Sequence, residues 1–314
     1  MFISHRYYEI FRKTAQLSLL TVLLLGQGIN AGLAHDPQKK ELANKIFEKL
    51  KVPTKGNSSS IGSYAKGCLD GAQALPFSGP NWQVLHPKRN RNWGHPETIR
   101  LVKRLSKKAT EIGWKGLYIG DISQARGGPM RYGHKSHQMG LDVDIWLTEP
   151  KSVELTVDEL KAVKPISIRS KDHRKTSNKW TVKHMEILKA SALDRSVDRV
   201  FITAPAKIWM CERAEGNRSW LQKIRPLGGH HQHFHIRLKC PPESPFCKTQ
   251  KPSIPDISQS DDGCDHTLKW WVTTALEPYK KPAKPPKKKK LKKNAVNFLM
   301  SDLPKQCLSV IHNN

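Results

Sequence analysis

No C-x-x-C pair, no H-E-x-x-H and no G-x-S-x-G occurs in the 314 residues. These absences exclude the common paired-cysteine metal site, the thermolysin-type peptidase with its helical glutamate base, and the serine elbow of the α/β-hydrolases. Ser63-Tyr64-Ala65-Lys66 matches the S-x-x-K of serine penicillin-binding proteins, but the S-D-N and K-T-G elements that complete that chemistry are missing. Acid is scarce: 27 Asp and Glu against 54 Lys and Arg leave a net charge of +27. That excess attracts polyanions, yet no zinc-finger spacing, RNA-binding signature or basic heptad accompanies it, so no specific nucleic acid is expected as a partner. Long apolar runs are missing too. The longest, Leu17 to Leu25, is too short for an ordinary membrane span.

What that run does fit is export. Arg6, Arg12 and Lys13 precede it, and Ala31, Gly32 and Ala34 follow as small residues, so residues 1–34 read as a signal peptide cleaved near Ala34. No transmembrane helix is then expected after signal removal. Six cysteines suit an oxidising compartment, and spacing alone leaves fifteen disulfide pairings open.

Two stretches carry the chemistry. In GHKSHQMGLDVDIW, Leu141, Val143 and Ile145 alternate with Asp142, Asp144 and Trp146, the period of a half-buried strand, with His137 upstream and Gly140 making the turn. In HHQHFHIR and the leucine after it, Phe234, Ile236 and Leu238 alternate with His233, His235 and Arg237. His137 and Asp144 from one segment and His235 from the other are the three protein ligands a catalytic Zn(2+) needs, with the fourth position left to water. His233 shares the face of His235 two residues away and is the candidate for moving a proton from water to the leaving amine. His230 is placed as an assisting acid or oxyanion donor, and His134 as a substrate contact or a ligand of a second metal. Asp142 reads as support for the ligands, His231 as a surface residue, and His86, His95 and His184 as structural.

Around these stretches the elements alternate without a βαβ rhythm. ELANKIFEKL and the segment from Pro96 to Gly113 read as helices, Leu117 to Ile119 as a strand, His184 to Leu193 as a helix, Val200 to Thr203 as a strand and Ala206 to Cys211 as a helix. The Gly/Ser stretch after Pro53 reads as a loop, as does Gly120-Asp121 to Gly128-Pro129, and Glu149 to Lys179 is irregular. The expectation is an α+β fold: a single catalytic domain over residues 35–272, with a mainly antiparallel central sheet flanked by helices and long loops and stapled by disulfides. Residues 273–314 form a tail with a C-terminal cysteine segment, and its KKPAKPPKKKKLKK run cannot build a core. Adhesion to anionic wall or outer-membrane polymers is the role expected of that run.

Ser136-His137, Gly140, Asp142, Asp144 and His233-Phe234-His235, with the text around them, resemble the penicillin-insensitive murein endopeptidases, within the wider lysostaphin-like and D-Ala-D-Ala metallopeptidase group. The resemblance runs from about Cys68 to Cys264, with a weaker match near Cys307. It implies the pairs Cys68 with Cys307, Cys211 with Cys264 and Cys240 with Cys247. It further implies a periplasmic D,D-endopeptidase acting on peptidoglycan, at the D-alanyl to meso-diaminopimelyl crosslink, without sensitivity to penicillin. The alternatives are a D,D-carboxypeptidase or dipeptidase with the same kind of site, and a non-catalytic basic protein that binds wall or nucleic acid.

Overall fold

The computed structural model describes residues 41–259, 261–278 and 297–313. The segment read as a signal peptide and the lysine-rich run lie outside the described residues. Among the described residues eleven strands follow in chain order: β1 (Ser59–Ser63), β2 (Lys66–Asp70), β3 (Gln73–Ala74), β4 (Ser78–Gly79), β5 (Trp82–Val84), β6 (Trp93–Gly94), β7 (Leu117–Ile119), β8 (Asp142–Trp146), β9 (Val197–Ile202), β10 (Ile224–Pro226) and β11 (His233–Leu238). The α-helices are α1 (Ala43–Lys49), α2 (Pro96–Glu111), α3 (Val157–Ala162), α4 (Val182–Leu193), α5 (Ala204–Arg213), α6 (Ile254–Ser258), α7 (Leu268–Val272) and α8 (Cys307–His312).

Seven strands form the central sheet in the order β10-β9-β11-β8-β7-β5-β4. The pairs β10 with β9 and β5 with β7 are parallel and the rest antiparallel, so the expected α+β class with a mainly antiparallel sheet holds. Period-two alternation sets which face each side chain takes. Leu141, Val143, Ile145, Phe234, Ile236 and Leu238 all enter one core with Ile99, Val102 and Leu105 of α2 and Ile187 and Leu188 of α4. Burying each such side chain contributes about 1.5–3 kcal/mol, enough to hold β8 and β11 in a single register. That register sets His235 opposite Asp144, His233 opposite Trp146 and Arg237 opposite Asp142. The polar side chains of both strands therefore share the other face.

Helix α2 begins as its sequence signals ask: Pro96 opens it, His95 Nδ1 accepts from the Glu97 amide at 3.2 Å, and Gly113 past its end has φ +92. The Gly/Ser stretch expected to be a loop is instead the antiparallel hairpin of β1 and β2. Few of its residues advertise a strand, and its pairing, with Ser63 opposite Lys66, puts Tyr64 and Ala65 in the turn. The S-x-x-K match is thus a hairpin end rather than a nucleophile site.

The disulfides Cys68–Cys307, Cys211–Cys264 and Cys240–Cys247 are the pairs the family resemblance implies. The C-terminal cysteine segment, set with the tail by its sequence, contributes Met300, Leu303, Cys307, Val310 and Ile311 to a second core with Ala43, Ile46 and Phe47 of α1 and with Ile61 and Cys68. Gly128 allows that packing. A Cβ there would lie 2.2 Å from the Phe47 ring. Arg126, in the same loop, donates to the carbonyls of Val310 at 2.8 Å and Asn313 at 2.6 Å, so the end of α8 buttresses the loop from Gly120 to Pro129. Among the described residues no helix is long and apolar enough to cross a membrane.

Candidate metal centre

The register of β8 against β11, with the turn that carries His137 just before β8, brings together three atoms of the kinds that ligate metals. Asp144 Oδ1 lies 3.4 Å from His137 Nε2 and 3.2 Å from His235 Nδ1, and the two ring nitrogens are 3.2 Å apart. All three side chains are buried. Their hydrogen-bond partners fix what these atoms can do. His137 Nδ1 lies 2.7 Å from the Ile122 carbonyl, which can only accept, so this nitrogen carries the proton and Nε2 keeps its lone pair. His235 Nε2 lies 2.9 Å from Asp142 Oδ1, which leaves the lone pair of Nδ1 facing inward. With both rings neutral, two lone pairs and a carboxylate oxygen therefore converge, and Asp144 Oδ1 has no hydrogen-bond partner.

Such a convergence calls for a cation. A tetrahedral ion with bonds of about 2.0–2.2 Å has ligand-to-ligand edges of about 3.3–3.6 Å. The observed separations of 3.2, 3.2 and 3.4 Å come close to that triangle. The residues present thus fit a metal ion. His134, His137 and Asp144 also place one ligand atom each within 4.8 Å of one another. His134 Nδ1 stands 3.6 Å from Asp144 Oδ2 while its Nε2 is 3.0 Å from Asp121 Oδ2, so His134 sits at the rim of the triangle, tied outward.

Charge around the site is balanced in pairs. Burial alone would raise the Asp144 pKa, but His137 and His233 outweigh it and hold the carboxyl well below the usual range. Asp142, equally buried, is held down by Arg237 and His235. Burial would lower the His235 pKa, and the two carboxylates beside it reverse the direction and raise it.

The remaining histidines separate by position. His233 Nε2 lies 3.7 Å from Asp144 Oδ2, with 27% of the side chain exposed, and burial lowers its pKa. His230 packs its ring 5.0 Å from that of His233, and burial with the nearby imidazoles lowers its pKa to about 4. His231, expected at the surface, is half-buried against Ser167 Oγ at 3.1 Å. His95 caps α2, and His184 bonds the Leu147 carbonyl at 2.9 Å and stacks on Trp180. His86 is exposed, with its ring 5.8 Å from that of Trp146.

Three contributors were not singled out from the sequence. Asp121 grips His134 and is itself held by Arg91 Nη1 at 2.8 Å. The Ile122 carbonyl sets the His137 tautomer. Tyr64 donates its hydroxyl to the Leu238 carbonyl at 2.6 Å and lies under the Arg237 guanidinium, 4.2 Å from the ring centroid. A polar loop between strand and site was the one signal for the first two.

A family model described as penicillin-insensitive murein endopeptidase matches residues 60–312. Relatives carrying that name include one from Haemophilus influenzae, 38% identical over 72% of this chain and 78% of its own, and one from Klebsiella pneumoniae, 36% identical over 79% and 87%. A relative of the same name from Escherichia coli K12 is 35% identical over 79% of this chain and 87% of its own. All three atoms of the triangle, and the histidines at its rim, lie within the matched span, and the chain belongs to the penicillin-insensitive murein endopeptidase family.

Proposed function

We propose that this chain is a zinc-dependent D,D-endopeptidase that hydrolyses peptide crosslinks in peptidoglycan, with His137, Asp144 and His235 as the ligands. The observation that carries it is the triangle of donor atoms 3.2–3.4 Å apart, a convergence of two imidazole nitrogens and a carboxylate oxygen that suits a cation. When bound, zinc supplies a Lewis acid that makes water acidic enough to act as a nucleophile near neutral pH and polarises the scissile carbonyl.

The chain's own residues do the rest. Burial lowers the His233 pKa and so favours the neutral ring, and its Nε2 stands 3.7 Å from Asp144 Oδ2; there it takes a proton from water and returns it to the leaving amine. His230 Nδ1 lies 2.9 Å from the Gly228 carbonyl and therefore carries the ring proton, so Nε2 is an acceptor. We accordingly assign His230 to receiving a substrate N–H in place of the acid or oxyanion-donor role expected from sequence. His134, held outward by Asp121, borders the substrate. Penicillin has no serine to acylate in such a site.

The murein named in the relatives' titles supports the periplasm as the place of action, and the N-terminal run supports cleavage near Ala34. A mature N-terminus at His35 by mass spectrometry is expected, and a retained Met1 rejects cleavage. The lysine-rich run is assigned to holding anionic wall polymers. Deleting residues 284–293 is expected to lower retention on sacculi at low salt and leave hydrolysis of a small peptide unchanged; full retention rejects that role.

Digestion of purified sacculi tests the activity. Crosslinked dimers are expected to fall to monomers, with the loss blocked by a chelator, restored by zinc and indifferent to penicillin. Release of terminal D-alanine with dimers intact would identify a carboxypeptidase instead, and no release of either kind would reject hydrolysis.

A further inference from the structure

We propose that Asp142 is the positioning residue for both histidines of the triangle, and that Arg237, clamped between two aromatic rings, sets the position of Asp142. The inference rests on His137 and His235 being the ligands. One carboxylate reaches both of them. Its Oδ2 accepts the backbone N–H of His137 at 2.9 Å, and its Oδ1 lies 2.9 Å from His235 Nε2.

Each bond answers a specific need. His137 has φ +64, a left-handed conformation uncommon for a residue with a side chain, and it sits where the chain turns toward Gly140 and β8. The bond to its amide ties that turn to the first residue of β8. The bond to His235 fixes which ring nitrogen carries the proton and the angle at which Nδ1 enters the site. A carboxylate hydrogen-bonded to a metal-binding histidine typically affects metal affinity 10–100-fold when removed, on the order seen across metalloproteins.

Asp142 is itself over-determined. Arg237 Nε donates to Oδ1 at 2.8 Å and Nη2 to Oδ2 at 3.3 Å, a two-pronged grip. The guanidinium is 4.2 Å from the centroid of the Tyr64 ring and 5.3 Å from that of Phe201. Phe201 also meets the His235 ring edge-on at 5.3 Å, so one aromatic side chain touches both the clamp and the ligand. Tyr64 is tied down by its bond to the Leu238 carbonyl. The hairpin of β1 and β2, which bears no ligand, thus reaches the centre through Tyr64, Arg237 and Asp142.

The test is Asp142→Asn, which keeps the shape but leaves one acceptor oxygen for donors on His137, His235 and Arg237. Zinc affinity would be measured by competition with a chromogenic chelator, and the metal-free protein examined by nitrogen-15 NMR of the His235 ring and by hydrogen exchange of the His137 amide. The folded variant is expected to bind zinc about 10–100-fold more weakly. In its metal-free form either the His235 ring populates both tautomers or the His137 amide exchanges faster. Affinity within about threefold of the parent, with both NMR readouts unmoved, overturns the proposal. Should Asp142→Asn not fold, Arg237→Lys keeps the charge and removes the fork; a loss of severalfold in affinity is expected, and unchanged affinity overturns the proposal. If the parent chain binds no zinc at all, the enzymatic reading fails, while the two metal-free readouts still decide the role of Asp142.

Discussion

Replacing His235 by alanine and, separately, His134 by alanine separates a ligand from a neighbour of the ligands. His235 Nδ1 lies 3.2 Å from both of its companions, so its removal takes away one of three protein donors. Four-ligand zinc sites bind with roughly 10–16 kcal/mol, or about 2.5–4 kcal/mol per ligand. At about 1.36 kcal/mol per decade, His235→Ala is expected to weaken zinc binding by about 100- to 1,000-fold. No charge is stranded by the change, because Asp142 keeps Arg237 at 2.8 Å. His134 Nδ1 is 3.6 Å from Asp144 Oδ2, beyond hydrogen-bond length, and Asp121 retains Arg91 when His134 is removed. His134→Ala should therefore cost no more than about tenfold. Chelator competition on the metal-free proteins, with near-ultraviolet circular dichroism to confirm folding, measures both. Equal losses in the two variants, or a loss of less than about threefold for His235→Ala, would refute the assignment of the triangle.

Three further outcomes follow from the same structure. His233→Ala should keep about one equivalent of zinc while lowering turnover about a hundredfold or more, with loss of the metal itself marking His233 as a ligand instead. Burial first, then Arg225 and Arg218, push buried Lys207 down from 10.5 to about 7, so between those values the unfolded chain holds one proton more and stability rises with pH. Denaturant midpoints at pH 7 and pH 9 should show that rise in the parent and a smaller one in Lys207→Met; equal slopes would place the Lys207 pKa near its ordinary value. Replacing Cys68 and Cys307 together by serine opens a link across 239 residues and should lower unfolding free energy by about 2–5 kcal/mol, read from the urea midpoint. An unchanged midpoint would show that the C-terminal segment docks without it.

The ligand strands were legible because a sheet with one buried face writes itself as alternation. Leu141, Val143 and Ile145 inward force Asp142 and Asp144 outward, and the same holds for Phe234, Ile236 and the histidines between them. The hairpin of β1 and β2 was not legible. Its Ser and Gly residues resemble a loop, and only pairing, with the contacts of Ile61, Cys68 and Leu69, makes it a strand pair. The clamp on Asp142 was hidden for the same reason, since Tyr64 lies 173 positions before Arg237 and no local period links them. Asp121 and Arg91 belong to loops, where side-chain direction has no sequence period at all.

The side chains of the candidate centre fall between residues 134 and 235, yet the loop from Gly120 to Pro129 behind His137 is braced in part by residues 310–313. A polypeptide made amino end first therefore holds every side chain of the candidate centre before it holds that part of the brace. Ile122 itself is held from the Arg91 carbonyl at 2.7 Å and Ser123 from the Trp93 carbonyl, and Arg126 adds the carbonyls of Val310 and Asn313 to that support. The distal segment thereby steadies a centre to which it gives no side chain.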